Sequence, residues 1–273
     1  MSSVAVGEPM STPGVMDFAQ VTSVFGNAAA AYSSAQPFPH AAFTGLFDRS
    51  VLDDIVREFP SPQEMAGSFY GEIEGGKYTE SDWGKFGPVT QEFVSSCNSG
   101  PFLHALSALT GIEGLLADPY LAGGGQHQSI RGARLKVHSD FNVHPSLNLT
   151  RRLNMLVYLN DPWEDSWGGS LDLWNADMSQ AVVSIPPRLG QVAIFSTTDT
   201  SFHGLPDPLD CPDGVTRKSL AFYYFTADNA TLEPRSTLWK ERPGEDFLSR
   251  PSARLRKSAS LARQSALALF KKS

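Results

Sequence analysis

Hydrophobic positions in the first half of the chain recur at the three- and four-residue spacing of helices that bury one face. The clearest case follows Asp48, which stands at an N-cap position, and it ends at Pro60. Its apolar positions are Val51, Leu52, Ile55, Val56 and Phe59. Two further helices are predicted over residues 89–97 and 101–109, and a short helical piece over residues 112–117. The first half of the chain is therefore expected to be a block of helices.

The second half of the chain changes to an alternation of apolar and polar positions, which is the period of a strand with one buried face. Turns rich in Gly, Pro, Asn and Asp separate the predicted strands. These cover residues 126–130, 133–138, 153–160, 170–174, 181–185, 191–195 and 219–226. Short strands after a helical block favour an α+β chain with a mostly β core. We expect an antiparallel double-sheet barrel of the jelly-roll or cupin type, supported by the N-terminal helices.

The two ends of the chain differ from this core. Residues 1–35 are rich in Ser, Ala, Gly and Pro, and we predict a flexible N-terminal arm there. From Pro251 onward the chain carries basic residues, no acidic residue and a modest apolar stripe, which predicts a basic amphipathic helix. Docking of this helix on the acidic body is favoured over contact with a membrane surface or an acidic partner. The predicted division is an arm, a domain over residues 36–230 and an extension over residues 231–273.

One segment between predicted helices, residues 61–87, combines turn residues and charges with aromatic side chains. The aromatic residues are Phe69, Tyr70, Tyr78, Trp83 and Phe86. A plain surface loop is one interpretation. A lid or substrate-contacting loop is the other, because loops of this length are commonly functional. The sequence leaves both open.

Composition narrows the class of protein. The 273 residues are 41% hydrophobic, which is ordinary for a globular protein, and the net charge of −7 argues against nucleic acid as the main partner. No apolar run is long enough to span a membrane, and the N-terminus lacks the basic start and apolar run of a secretory signal. The two cysteines are too few for a disulfide framework or a thiolate metal cluster, so we expect reduced thiols and a cytoplasmic protein.

The first candidate chemistry is a possible metal site. His138 and Asp140 are separated by one residue, so their side chains point the same way if the segment is extended. His203 follows Asp140 by sixty-three residues and can complete the set from another strand. Two imidazoles and one carboxylate on one face of a metal leave the opposite coordination positions open. That arrangement is the one used in non-haem Fe(II) oxygen chemistry.

Two other histidines compete for this role. His144 follows His138 at a spacing that can also bind a metal, but Pro145 comes directly after it and the intervening residues indicate a turn. His127 follows a run of glycines and is interpreted as incidental. We therefore favour His138, Asp140 and His203.

The second candidate chemistry is an anion site at Arg217, fourteen residues after His203. A guanidinium binds a carboxylate through two parallel hydrogen bonds, although an isolated arginine on a strand is usually a surface charge. A dicarboxylate such as 2-oxoglutarate could chelate the metal with its keto acid end while its far carboxylate meets Arg217. Tyr158 would add a phenol donor. Strand alternation puts Ser219 on the face of Arg217 and Lys218 on the other face.

Together these positions resemble the Fe(II)/2-oxoglutarate-dependent dioxygenases, specifically the prolyl 4-hydroxylase-like branch. The resemblance covers about residues 36–228, and the ordered combination is more specific than any one piece. The matching segments are Pro37-Phe38-Pro39-His40, His138-Ser139-Asp140, Arg151-Arg152-Leu153-Asn154-Met155-Leu156-Val157-Tyr158-Leu159-Asn160, Gly168-Gly169-Ser170-Leu171, His203-Gly204 and Arg217-Lys218-Ser219-Leu220.

The resemblance implies a double-stranded β-helix core with His138, Asp140 and His203 as iron ligands. It implies that Arg217 binds the distal carboxylate of 2-oxoglutarate and that Tyr158 assists it. The implied cofactors and co-substrates are Fe(II), 2-oxoglutarate and O2, with ascorbate as an activator. The implied reaction is hydroxylation of an unactivated C–H bond with release of succinate and CO2.

The substrate and the function class have alternatives. Branch resemblance indicates a peptidyl prolyl residue or free proline, while other members of the branch act on small-molecule or carbohydrate-derived natural products, and a fold does not fix a function. A non-catalytic β-barrel with a structural metal is a different class, but it has no use for an anion-binding arginine. A zinc hydrolase requires a nearby general-base Glu, and the positions beside the His-x-Asp pair supply none.

Overall fold

The computed structural model describes residues 14–69, 74–227 and 233–243. The helices within these residues are α1 (Phe18–Ser34), α2 (Arg49–Arg57), α3 (Pro88–Cys97) and α4 (Gly100–Thr110). The strands are β1 (His40–Phe43), β2 (Gly67–Phe69), β3 (Glu74–Glu80), β4 (Leu116–Ala117), β5 (Gly125–Ser139), β6 (Thr150–Tyr158), β7 (Leu171–Trp174), β8 (Ala181–Ile185), β9 (Val192–Ser196), β10 (His203–Leu205), β11 (Arg217–Thr226) and β12 (Leu238–Trp239). No helix in the described part of the chain is both long enough and apolar enough to cross a membrane.

The strands form one antiparallel, nearly closed barrel. Neighbours follow the order β1-β9-β6-β11-β5-β10-β7-β8, and β3 and β12 also pair with β5. The predicted double-stranded β-helix of the jelly-roll type is confirmed. Sequence analysis predicted two strands where the structure has the single long strand β5. It missed β1 to β4 in the first half of the chain and the short strands β10 and β12.

Strand β5 belongs to both halves of the barrel. Its first part pairs with β11, where Ser129 lies opposite Arg217, and its last part pairs with β10, where His138 lies opposite His203. Between these parts, Gly132 adopts a positive φ of 79°, which glycine accommodates without the steric cost of a side chain. The strand therefore changes sheets at an irregular, exposed point and carries residues to both ends of the barrel interior.

Alternation on β6 and β11 separates the hydrophobic core from the barrel interior. The residues of these strands that face the helices form the main core with side chains from all four helices. They are Leu153, Met155 and Val157 on β6, and Leu220, Phe222 and Tyr224 on β11. The alternate residues, including Asn154, Tyr158, Arg217 and Ser219, point to the other face. The predictions of α2, α3 and α4 are confirmed.

The predicted flexible arm is wrong for residues 18–34, which form α1. Asp17 caps this helix by accepting a hydrogen bond from the backbone N–H of Gln20, at 3.0 Å. Phe25 is fully buried, with its ring centre 5.2 Å from that of Phe43 and 6.0 Å from that of Phe102. The Ala- and Ser-rich composition concealed a helix whose apolar positions are three and four residues apart.

Replacing Phe25 with alanine tests whether α1 is part of the core. We expect a loss of about 3–5 kcal/mol in the free energy of unfolding, because the substitution leaves a cavity among fully buried aromatic rings. Urea unfolding measures this loss, and Ser23→Ala, at an exposed position of the same helix, is the matched control. An unchanged unfolding midpoint for Phe25→Ala would mean that the core is complete without α1.

One predicted helix is absent, and another lies outside the described residues. Residues 112–117 do not form the expected helical piece, because Gly111 and Gly114 adopt positive φ angles and end helical geometry after α4. Leu116 and Ala117 instead form β4, which pairs with β11. The basic helix predicted after Pro251 lies outside the described residues, and the boundaries of the three predicted segments stay predictions.

Candidate functional site

Three candidate ligands meet inside the barrel where β5 and β10 pair. The Nε2 atoms of His138 and His203 lie 3.6 and 3.4 Å from the carboxylate oxygens of Asp140, and one donor atom from each of the three lies within 4.8 Å of the others. Both imidazoles are almost fully buried. No other group of three His, Cys, Asp or Glu residues in the described chain has this geometry.

The two imidazoles are held in the tautomer that a metal requires. The Nδ1–H of His138 donates to the carbonyl of Lys136 at 2.8 Å, and that of His203 donates to the carbonyl of Ser201 at 2.9 Å. A carbonyl oxygen only accepts, so each Nδ1 carries the proton and each Nε2 has a free lone pair. The donor set therefore fits a divalent transition metal such as Fe(II).

The charges of the site also favour a metal. Burial alone would raise the pKa of Asp140, but the positive charge of Arg151 and the imidazoles of His203 and His138 outweigh burial and hold that pKa well below its usual range. Burial lowers the pKa of His203 to about 4, against the attraction of Asp140. At neutral pH, His203 is thus neutral and Asp140 is ionised, and neither must lose a proton to bind a metal.

Two residues of β6 that sequence analysis did not single out orient Asp140. The Asn154 side-chain amide donates to Asp140 Oδ2 at 2.7 Å, and Arg151 Nη2 lies 3.3 Å from the same oxygen. The Arg151 guanidinium is 3.5 Å from the ring centre of Tyr223 and 4.4 Å from that of Phe141. Arg151 also donates two hydrogen bonds to Asn154 Oδ1, so these residues form one rigid support.

The candidate anion site lies on β6 and β11. Arg217 is buried, its Nε donates to the carbonyl of Gly169 at 2.6 Å, and its guanidinium carbon is 4.9 Å from the Tyr158 ring centre. Gly169 adopts a positive φ of 80°, which favours glycine, and a Cβ atom at this position would crowd the side chains of Leu209 and Arg217. Ser219 lies beside Tyr158 in the strand register.

Tyr158 provides an unused hydrogen-bond donor next to Arg217. Its hydroxyl is fully buried, and because the guanidinium of Arg217 can only donate, the hydroxyl proton has no acceptor among the described residues. Burial raises the pKa of Tyr158, so the hydroxyl stays protonated and can donate. An unpaired buried hydroxyl is costly, which indicates that a ligand or a water completes this position.

One cavity of about 280 Å³ connects the metal-ligand group with the anion site. His138, Asp140 and His203 line it together with Arg217 and Ser219. Its apolar wall between the two sites contains Leu156, Leu171 and Phe195. The cavity therefore brings together the predicted metal ligands, Arg217 and Ser219, whereas Tyr158 packs against Arg217 and is not part of the lining.

The two competing histidines, His144 and His127, lie in different places. His144 lies away from the group, with Nε2 3.1 Å from the Asp118 carboxylate, as the exclusion of His144 from the metal site predicted. His127 is a residue whose position sequence analysis missed. It lines the cavity, is buried, and has an Nε2 without a hydrogen-bond partner in the described chain. Burial and the nearby Lys77 lower its pKa well below the usual value, so the imidazole is neutral.

The segment 61–87 is neither a plain loop nor a separate lid over its described residues. It contains β2 and β3, and β3 pairs along β5, with Thr79 opposite His127. Lys77 and Thr79 line the cavity. The segment thus supplies one wall of the site as part of the sheet. Residues 70–73, including Tyr70, lie outside the described chain.

Comparisons with known proteins agree with this site. Residues 125–225 match the family described as the 2OG-Fe(II) oxygenase superfamily. This matched segment contains His138, Asp140, His203 and Arg217, so the part of the chain that holds the site is similar to Fe(II)- and 2-oxoglutarate-dependent oxygenases. The fold of the chain is similar to that of the prolyl 4-hydroxylases. No curated protein sequence matches the chain.

Two solved structures show the similarity of fold. A prolyl 4-hydroxylase from Phytophthora capsici has a TM-score of 0.54 at 17% identity, covering 83% of this chain and 71% of its own. A prolyl hydroxylase from Trichoplax adhaerens, in complex with a hypoxia inducible factor peptide, has a TM-score of 0.55 at 16% identity. The alignment covers 77% of this chain and 93% of the Trichoplax chain. At these identities the similarity is one of fold and does not carry a substrate.

Replacing Asn154 with alanine tests the support of Asp140. We expect the affinity for Fe(II) to fall by about 10–100-fold, because the carboxylate loses the amide that orients it. The affinity is measured by anaerobic titration, and Asn175→Ala serves as the control because Asn175 bonds Ser179 outside the cavity. Equal affinities for the two variants would show that Arg151 alone positions Asp140.

Proposed function

We propose that this chain hydroxylates an unactivated C–H bond, with Fe(II) held by His138, Asp140 and His203 and with 2-oxoglutarate as co-substrate. The co-substrate is oxidised to succinate and CO2 while one oxygen atom of O2 enters the substrate. One observation carries the proposal: a single cavity is lined by the two-histidine, one-carboxylate group at one place and by the buried Arg217, which packs against Tyr158, at another. A structural metal site would not need the second group.

Each residue of the site has its own role in the proposed reaction. Bound Fe(II), together with 2-oxoglutarate, supplies the activation of O2 that an unactivated C–H bond requires. Arg217 uses its Nε on the Gly169 carbonyl, which leaves the terminal nitrogens for the distal carboxylate of 2-oxoglutarate. Tyr158 donates its hydroxyl to the same carboxylate, and Ser219 adds a second hydroxyl from the neighbouring position.

The walls of the cavity keep water from the reacting atoms. Leu156, Leu171 and Phe195 cover the path between the proposed iron site and Arg217. Phe195 also packs against His203, with ring centres 4.7 Å apart, which fixes the imidazole plane. Low polarity around this path strengthens the hydrogen bonds to the bound carboxylate.

The proposed substrate is a prolyl residue in a peptide, or free proline. Support for this class comes from the similarity of fold to prolyl hydroxylases and from the matching sequence segments. A small-molecule substrate is the alternative outcome of the experiment below. Cys97 and Cys211 are both buried and unpaired, which supports the proposed cytoplasmic location.

The test is an anaerobic titration of the metal-free chain with Fe(II) and then 2-oxoglutarate. The chelate of the keto acid on iron gives a weak visible charge-transfer band, and we expect this band only when both are present. Oxygen is then admitted with a proline-containing peptide, with free proline or with neither, and succinate is measured. The absence of the band while Zn(II) binds tightly would overturn the oxygenase assignment in favour of a hydrolase or a structural site. A band with succinate release that neither proline probe stimulates would overturn the prolyl substrate alone.

A further inference from the structure

A short segment near the C-terminal end of the described chain lies against the strand that carries His138. This segment, residues 233–242, is called the strap below. Its two-residue strand β12 pairs with the end of β5, with Trp239 opposite His138 and Leu238 opposite Ser139. The backbone N–H of Lys240 donates to the carbonyl of Val137 at 2.8 Å. The strap lies outside residues 125–225, which match the family, so the family match assigns it no role.

Arg235 anchors the strap to the metal-ligand group. Its Nη1 donates to the backbone carbonyl of Asp140 at 2.7 Å, and its backbone N–H donates to Asn142 Oδ1 at 2.8 Å. Asn142 in turn donates from its amide to the carbonyl of Glu233 at 3.0 Å. The ion pair of Arg235 with the exposed Asp199 adds little, because water screens it. The bonds to the backbone around Asp140 are what fix the position of the strap.

Trp239 is the strap residue whose ring packs against a proposed iron ligand. Its ring centre lies 4.8 Å from that of His138, with 38° between the planes, and it lines the same cavity together with Thr237. Leu238, the neighbouring residue, is 39% exposed and does not line the cavity. The anchored backbone and the contact with His138 therefore hold a large aromatic ring at the cavity wall.

We propose that the strap is a wall of the substrate pocket and that Trp239 determines which substrates fit. The proposal rests on the proposed function, because the substrate pocket is taken to end at the three proposed iron ligands. A fixed indole at this wall restricts access to compact aliphatic groups, such as a single saturated ring, and excludes extended aromatic groups. Trp239 is thus a specificity-determining residue.

The test measures the size of the pocket without requiring the substrate. The full chain is loaded with Co(II), whose visible absorption bands change when an external ligand binds the metal. Imidazole is the small probe, and 4-phenylimidazole is the large one. In Trp239→Ala we expect the affinity for 4-phenylimidazole to rise by about tenfold or more, while that for imidazole changes by less than about twofold, because only the large probe meets the wall.

Two further variants make the result specific. Leu238→Ala removes a side chain from the same two-residue strand and is expected to leave both affinities at the wild-type values. Trp239→Phe keeps an aromatic ring of smaller size and is expected to give an intermediate gain for 4-phenylimidazole. If circular dichroism shows that Trp239→Ala does not fold, Trp239→Phe still tests the proposal.

The outcomes separate the two proposals. Co(II) bands that respond equally to both probes in every variant would overturn the role of Trp239 and leave the proposed function intact. A gain for 4-phenylimidazole in Leu238→Ala as large as in Trp239→Ala would also overturn it, because a general loosening would then explain the effect. If Co(II) gives no protein-bound bands in the wild type, the metal site fails and both proposals fall.

Discussion

His203→Ala is expected to abolish Fe(II) binding and with it the charge-transfer band of the 2-oxoglutarate complex. Loss of a residue that only orients a ligand costs about 10–100-fold in metal affinity, and loss of the ligand itself should exceed the upper end of that range. His203 comes from β10, while the other two proposed ligands come from β5 and the residue after it. The variant therefore removes the single donor that closes the site across the barrel. Anaerobic Fe(II) titration followed by absorption measures the effect.

The choice of control makes this result informative. His104 is an exposed histidine of α4, and His104→Ala should bind Fe(II) as the wild type does. His127→Ala adds a second comparison, because His127 is buried in the same cavity but is not part of the three-residue group. If His127→Ala lost the metal while His203→Ala kept it, the proposed ligand set would be wrong.

Arg217→Ala is expected to weaken 2-oxoglutarate binding by roughly 100-fold while leaving Fe(II) affinity unchanged. A buried, charge-assisted hydrogen bond contributes about 1.5–3 kcal/mol, and the alanine variant removes the charged partner of the distal carboxylate altogether. The measurement is a titration of 2-oxoglutarate into the Fe(II)-loaded protein under anaerobic conditions. Arg217→Lys should recover part of the affinity, since it restores the charge without the two parallel donors.

Lys218→Ala is the matched control for Arg217. The two residues are adjacent on β11, but Lys218 points to the other side, where its ammonium donates to Thr216 at 2.6 Å. We expect Lys218→Ala to bind 2-oxoglutarate normally. A larger loss for Lys218→Ala than for Arg217→Ala would assign the distal carboxylate to the lysine.

The site residues that could be predicted from the sequence all depend on patterns between neighbouring positions. The spacing of His138 and Asp140 in an extended segment predicted that their side chains converge, and they do converge although β5 ends between them at Ser139. Alternation along β11 distinguished Arg217 from Lys218, and Arg217 is the one that lines the cavity. The barrel could likewise be predicted, because most of its strands are long enough to show the alternation of apolar and polar positions.

The missed features depend on contacts between distant parts of the chain. Arg151 and Asn154 look like ordinary polar positions of a strand, and their importance comes from the fold that brings Asp140 against them. Trp239 lies on a strand of two residues, which is too short to show any alternation. The apolar face of α1 was overlooked because its small residues also occur in disordered segments.

Strand β5 also has a consequence for the choice of keto acid. The same strand presents Ser129 opposite Arg217 and His138 opposite His203, so its length fixes the separation between the proposed distal carboxylate site and the proposed iron. A keto acid one carbon shorter would reach the metal without reaching the guanidinium, and one a carbon longer would have to buckle between the apolar walls. The chain should therefore discriminate against both homologues of its co-substrate through the geometry of a single strand.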